Sequence, residues 1–103
     1  MSNFPKWNPQ KVTFDKFDSS DFKTRYIALR NSSSAFIKKQ DVRNYIFERD
    51  NNRCVLCEEQ ENLTIDHYNS VYRVAKKDVP LRMLNIKENL QTLCFECNSG
   101  KTP

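Results

Sequence analysis

Two cysteine pairs, "CVLC" (Cys54 and Cys57) and "CFEC" (Cys94 and Cys97), carry the clearest chemical signal in the chain. Each pair has the two-residue spacing of a metal knuckle. Together they supply four thiolates, the donor set that closes a tetrahedral structural zinc site. The separation between the pairs exceeds that of a simple zinc ribbon. A treble-clef-like arrangement tolerates it, with one knuckle on a turn and the other at a helix N-terminus. Two disulfides are the alternative use of four cysteines. The opening "MSNFPKWNPQKVTF" has polar residues and prolines where a secretory signal needs an apolar core. No apolar run approaches the length that spans a bilayer. A cytoplasmic chain without membrane contact is therefore expected, and thiols there stay reduced, which favours metal over disulfides. A closed four-thiolate site keeps no open position, so its metal would hold the fold and do no chemistry.

The single histidine, His67, directly follows Asp66 in "LTIDHYN". An imidazole, with its ordinary pKa near ~6.5, can take a proton from water at neutral pH. A carboxylate is a hard oxygen ligand suited to Mg2+. In a strand, however, consecutive side chains point to opposite faces. Alone, the pair is better explained by a structural histidine at a strand end. Two asparagines add to it: the amide oxygen of Asn98, directly after Cys97, can coordinate the same hard cation, and Asn89 can hydrogen-bond to the backbone around His67.

With these residues in this order, the chain resembles the HNH endonucleases, the zinc-knuckle branch of the ββα-metal nucleases. The resemblance rests on "FERDNNRCVLC", "LTIDH" and "ENLQTLCFECNSGK" and covers about residues 35–101. It implies an α+β fold, a small zinc-stapled ββα-metal, treble-clef-like domain with N-terminal helices. It also implies a metal-dependent DNA endonuclease that nicks strands by hydrolysing phosphodiester bonds. On that pattern His67 is the general base, and Asn89 completes the catalytic pair by fixing the loop that orients it. Asp66 and Asn98 bind a catalytic Mg2+ (or Mn2+ or another divalent ion), while Cys54, Cys57, Cys94 and Cys97 bind structural Zn2+. Asn98 stands where many relatives carry histidine. The text after "DH" departs from the family, which often places a small or apolar residue and then proline there. The stretch from Tyr68 to Asn89 is also long for a connection between two strands.

The elements that must position these residues are readable in outline. At 103 residues the chain is one domain by size. Its 38% hydrophobic content and mean hydropathy of −0.79 allow only a modest core, which a structural metal would supplement. "DFKTRYIALRN" places Phe22, Tyr26 and Leu29 on one helical face, "NSSS" at 31–34 reads as a loop, and "AFIKKQDVRNYIFERD" as a second helix packed through Ala35, Val42 and Ile46. "DNN" stops that helix. "LTID" and "NLQTL" read as strands, "CFECNSGK" begins a helix, and the intervening excursion holds a helical turn near "LRMLN". Residues 1–34 are expected as an aromatic arm and short helix, and residues 35–103 as the HNH domain.

The net charge of +4 is uneven. Residues 1–53 carry eleven Lys/Arg against six Asp/Glu, whereas residues 54–103 carry six against seven. On charge alone the small excess reads first as a solvated mixed-sign surface, but the basic half also suits DNA, with Lys38, Lys39, Arg43 and Lys101 as candidate contacts. A protein partner or a homodimer is compatible with the same features. The competing reading is a non-catalytic zinc module binding DNA or a protein. Such a module needs the cysteines but not Asp66, His67, Asn89 and Asn98 together.

Overall fold

The computed structural model describes Trp7 and residues 21–100. The order is α1 (Phe22–Ile37), α2 (Gln40–Arg49), β1 (Leu63–His67), α3 (Val71–Ala75), 3-10 turns at Leu81–Met83 and Lys87–Asn89, β2 (Leu90–Cys94) and α4 (Phe95–Ser99). Strands β1 and β2 form one antiparallel pair in which Ile65 faces Thr92, Asp66 faces Gln91 and His67 faces Leu90. This is the small α+β, ββα-type domain expected from the sequence.

The alternation of strand side chains makes the hairpin two-faced. Ile65 and Leu90 lie on one face, buried with Val42 and Ile46 of α2 and Phe36 of α1. The other face carries Thr64, Asp66, Gln91 and the fully buried Leu93, which packs with Cys54 and Cys94. Helix α4 covers that second face, so the hairpin is sandwiched between α2 and α4. A second apolar cluster joins Leu29 of α1 to Val74, Ala75, Val79 and Leu84 of the excursion. There the buried Arg25 guanidinium donates to the carbonyl of Ala75 through Nε at 3.1 Å and through a terminal nitrogen at 2.7 Å. The long connection is thus ordered by docking on α1. Its helical turn near "LRMLN" is present, and α3 is a helix that the sequence pattern did not show.

Two expectations for the first half are corrected. The "NSSS" stretch is not a loop: α1 runs through it to Ile37 and crosses the boundary drawn between residues 34 and 35. Burial of Arg25, Leu29, Ser33 and Phe36 along one side of α1 overrides the weak helix propensity of serine. The break falls instead at Lys38–Lys39, so "AFIKKQDVRNYIFERD" is the end of one helix and the whole of the next. Phe36, not Ala35, joins Val42 and Ile46 in the core, while Ala35 is exposed. The ring of Trp7 meets Phe36 and Tyr45 edge-on at 6.0 and 5.1 Å. Trp7 of the aromatic arm thus docks on the domain; Phe4, Phe14 and Phe17 of the arm lie outside the described residues.

Ser33 is 2% exposed, and its Oγ has no hydrogen-bond partner in the structure. A buried hydroxyl without a partner has lost its hydration and gained nothing in return. Ser33→Ala is therefore expected to stabilise the protein by about 1 kcal/mol, read as a higher denaturation midpoint. A lower midpoint would contradict this.

The "RD" of the family-like segment has a structural task. Arg49 donates to the carbonyls of Lys87 at 2.8 Å and Leu90 at 2.6 Å, and makes a two-point pair with Asp50 at 2.9 and 3.0 Å. Asp50 in turn accepts the Thr92 amide at 2.9 Å. Burial acts against ionisation of Asp50, but Arg49 and the Thr92 amide outweigh it and hold the carboxyl below its ordinary pKa. This knot ties the end of α2 to β2. "DNN" ends the helix as expected, with Asn51 and Asn52 at φ 59° and 54°, a region asparagine tolerates better than most residues.

No helix among the described residues is long and apolar enough to cross a membrane.

Candidate active site and metal centre

The four cysteines come together. Their sulfurs all lie within 4.8 Å of one another, and none is in a disulfide. The first knuckle is a turn: the Cys54 amide donates to Glu59 O, Glu58 N to Cys54 O, and Val55 N to Thr92 O, which hangs the turn on β2. The second knuckle opens α4, where Cys94 is the N-cap and its Sγ accepts the Cys97 amide at 3.4 Å. One knuckle on a turn and one at a helix start is the treble-clef-like arrangement expected.

The electrostatics of the cluster fit a cation. Burial opposes ionisation of Cys54, but hydrogen bonds from the backbone of Cys94, Cys57 and Leu56 outweigh it and hold that thiol down at about 6. The neighbouring sulfurs of Cys94, Cys57 and Cys54 push Cys97 up to about 12. At Cys57 the Glu59 amide favours the thiolate, yet Cys94 and Cys54 beside it leave the pKa raised. The Cys54 thiolate forms readily, while the neighbouring sulfurs resist ionisation of Cys57 and Cys97. A divalent cation among the sulfurs removes that resistance.

On the second hairpin face, Asp66 and the asparagine of α4 are brought to the same side. Thr64, two residues before Asp66, receives the Asn98 amide nitrogen on its Oγ1 at 2.8 Å. The Thr64 hydroxyl hydrogen is committed to Leu93 O at 2.9 Å, so its oxygen can only accept from Asn98. That fixes the Asn98 amide with its nitrogen toward β1 and its carbonyl oxygen turned away. Across the strands, Gln91 Nε2 donates to Asp66 Oδ2 at 2.9 Å and steadies the carboxylate. The face therefore carries an aspartate and, tethered to Thr64, an asparagine side chain, two residues with hard oxygen donors of the kind Mg2+ takes.

His67 is the last residue of β1 and is 8% exposed. Its Nε2 lies 3.0 Å from Oδ1 of Asn85, in the excursion. Asn89 is 3% exposed: its Oδ1 accepts the Asn69 amide at 2.7 Å, and its Nδ2 donates to Asn69 O at 3.2 Å and Leu84 O at 2.8 Å. Its backbone carbonyl also accepts the Tyr68 amide at 2.8 Å. A single buried side chain thus pins the backbone just after His67 to the backbone just before Asn85.

The basic candidates sit elsewhere. Helix α2 covers the Ile65 face, opposite to Asp66, so Arg43 and the helix-capping Lys39 are not brought to the Asp66–Asn98 face. Arg43 lies over the Phe47 ring at 5.0 Å and Lys39 over Phe36 at 5.9 Å, while Lys38 is exposed at the α1–α2 corner. Lys101 lies outside the described residues.

Sequence reasoning missed Thr64, Gln91 and Asn85. Strand period offered a signal for Thr64, which shares the face of Asp66. Asn85 showed only as a polar residue inside the otherwise apolar "MLNI".

A family model described as HNH endonuclease matches residues 54–103, about half of the chain. No curated protein and no solved structure matches it. The matched residues contain both knuckles, both strands and α4, with Asp66, His67, Asn89 and Asn98 placed as described. Residues 54–103 are an HNH endonuclease domain.

Proposed function

We propose that the protein hydrolyses phosphodiester bonds of DNA, one strand at a time, with His67 as general base and Asp66 and Asn98 as ligands of a catalytic divalent ion. The observation that carries this reading is the Asn98 side chain held on Thr64 Oγ1, on the hairpin face that also carries Asp66. A purely structural zinc module has no use for that pair of hard donors. Mg2+ or Mn2+, when bound, supplies charge neutralisation at the phosphate and at the leaving 3′ oxygen. The chain's own residues do the rest. His67 takes a proton from the attacking water, whose oxygen bonds to phosphorus as the P–O3′ bond breaks. Asn89 keeps the backbone beyond His67 from drifting, and Gln91 keeps Asp66 oriented.

The four thiolates belong to a structural Zn2+, for which an all-sulfur tetrahedral set is suited. Residues 35–103, with the last turn of α1 counted in, form the nuclease unit, and residues 1–34 form an accessory arm and the rest of that helix. Lys38, Lys39 and Arg43 serve as phosphate contacts on DNA outside the cutting face, Lys101 is a further phosphate contact, and a second copy or a protein partner supplies the second cut where both strands are cleaved.

The test is the conversion of supercoiled plasmid to open circles with and without added Mg2+ or Mn2+. Leaving the ion out, rather than chelating it, spares the thiolate-bound metal. Nicking is expected only with the ion. Asp66→Ala is expected to lower it at least about a hundredfold, since a bound metal contributes several kcal/mol to such transition states. Ion-independent nicking, or full activity in Asp66→Ala, would overturn the reading in favour of a binding module.

A further inference from the structure

The ten residues after His67, "YNSVYRVAKK" (68–77), depart from the family pattern, and neither the knuckles nor the Asp66–Asn98 face uses them. They hold two tyrosines, one arginine and two lysines, and no carboxylate. The fold sorts them by side. Helix α3 buries Val74 and Ala75 in the cluster of Leu29 and leaves Tyr72, Arg73 and Lys76 exposed. Phe22 and Tyr26 of α1 hold the Tyr72 ring edge-on, at 5.5 and 6.0 Å.

Tyr68 is 66% exposed, yet the backbone beneath it is clamped. Its amide donates to Asn89 O at 2.8 Å, the Asn69 amide donates to Asn89 Oδ1 at 2.7 Å, and Asn69 O accepts from Asn89 Nδ2 at 3.2 Å. An exposed ring on a fixed backbone gives up little freedom when a flat partner lies against it. Positive charge is gathered beside the tyrosines. Arg73 donates to Asn69 Oδ1 at 3.4 Å, next to Tyr68, and the Lys76 ammonium stands 5.0 Å from the centre of the Tyr72 ring. Cations among exposed aromatic rings are complementary to a polyanion that also offers flat faces. Perfect duplex DNA offers its phosphates but keeps its base faces stacked on one another. An unpaired strand offers both.

We propose that Tyr68, Tyr72, Arg73 and Lys76 bind an unpaired stretch of DNA: a nucleobase stacks on the Tyr68 ring, and Arg73 and Lys76 contact neighbouring phosphates. Tyr68 directly follows His67 in the chain. On the nuclease reading, on which this consequence rests, the unpaired stretch lies beside the scissile bond and nicking favours sites where pairing is broken. The binding itself does not need that reading.

The test is the fluorescence anisotropy of three labelled probes titrated with the full, zinc-loaded chain and no added Mg2+ or Mn2+. The probes are a short DNA strand, its perfect duplex, and the same duplex with a central unpaired loop. The strand and the looped duplex are expected to bind at least about 10-fold more tightly than the perfect duplex. Tyr68→Ala is expected to lose about 10- to 100-fold on those two probes and little on the perfect duplex, whereas Tyr68→Phe, which keeps the ring, should bind like the wild type. Arg73→Gln should weaken all three alike and lower the salt slope by about one. Equal wild-type affinity for strand and perfect duplex, or Tyr68→Ala with wild-type affinity for the strand, would overturn the proposal. A wild type that shows the preference but nicks neither plasmid nor looped duplex would remove the nuclease reading and leave the binding site standing. Nicking without the preference would do the reverse.

Discussion

Exchanging Cys54 for serine is expected to release the bound metal and unfold the domain. Cys54 is 1% exposed and shares the buried cluster of Leu93 and Cys94, so its sulfur is the donor least replaceable by water. Serine is nearly isosteric but does not ionise at neutral pH, leaving three thiolates. A structural zinc ion contributes on the order of 10 kcal/mol to a small fold. That is comparable to the whole stability of an ordinary domain. The apolar groups gathered on the knuckle side are few, so no reserve replaces the ion. The wild type should carry one zinc per chain and melt cooperatively; Cys54→Ser should carry none and show no cooperative melt. Strong chelation should do the same to the wild type without any mutation, which separates loss of the ion from damage to the core. A wild type that keeps its melting transition under chelation would contradict a structural metal.

Removing the His67 ring is expected to have the opposite profile, a large loss of rate with the fold retained. General acid–base catalysis contributes about 10²- to 10⁴-fold, and His67→Ala should forfeit that much of the nicking rate. The structural cost is smaller. The ring is buried at the end of β1 opposite Leu90, and its loss leaves Asn85 Oδ1 without that donor. Losing one such partner costs about 1–3 kcal/mol. The metal cluster lies at the other end of the hairpin, where Leu63 faces Cys94, and should still fill. The variant should therefore keep its zinc and melt cooperatively at a modestly lower temperature.

The parts of the fold that chemistry dictates were legible in the sequence, and those that packing dictates were not. The knuckles announce themselves because metal ligation demands fixed spacing. The strands "LTID" and "NLQTL" and the helix at "CFEC" follow from short apolar runs beside those knuckles. "NSSS" misled because serine favours caps and turns locally, while the contacts that keep it helical come from α2 and the excursion. Helix α3 is five residues long and has no period of its own; it exists because Val74 and Ala75 dock on α1. In the candidate site, Asp66, Asn89 and Asn98 could be named from type and order. The Thr64 hydroxyl that orients Asn98 and the Asn85 oxygen beside His67 are contacts across 34 and 18 residues of chain, which one sequence does not display. The basic residues show the converse. Their charge is plain in the sequence, but only the fold places Lys39 and Arg43 on the layer opposite to Asp66.

The most direct test of the central claim, that this HNH domain cuts DNA through His67, is the initial rate of supercoiled-plasmid nicking in Mg2+ or Mn2+ by zinc-loaded wild type and His67→Ala side by side. The account expects open circles from the wild type and a rate at least about a hundredfold lower from the variant at equal zinc content. Equal rates from the two proteins would contradict it.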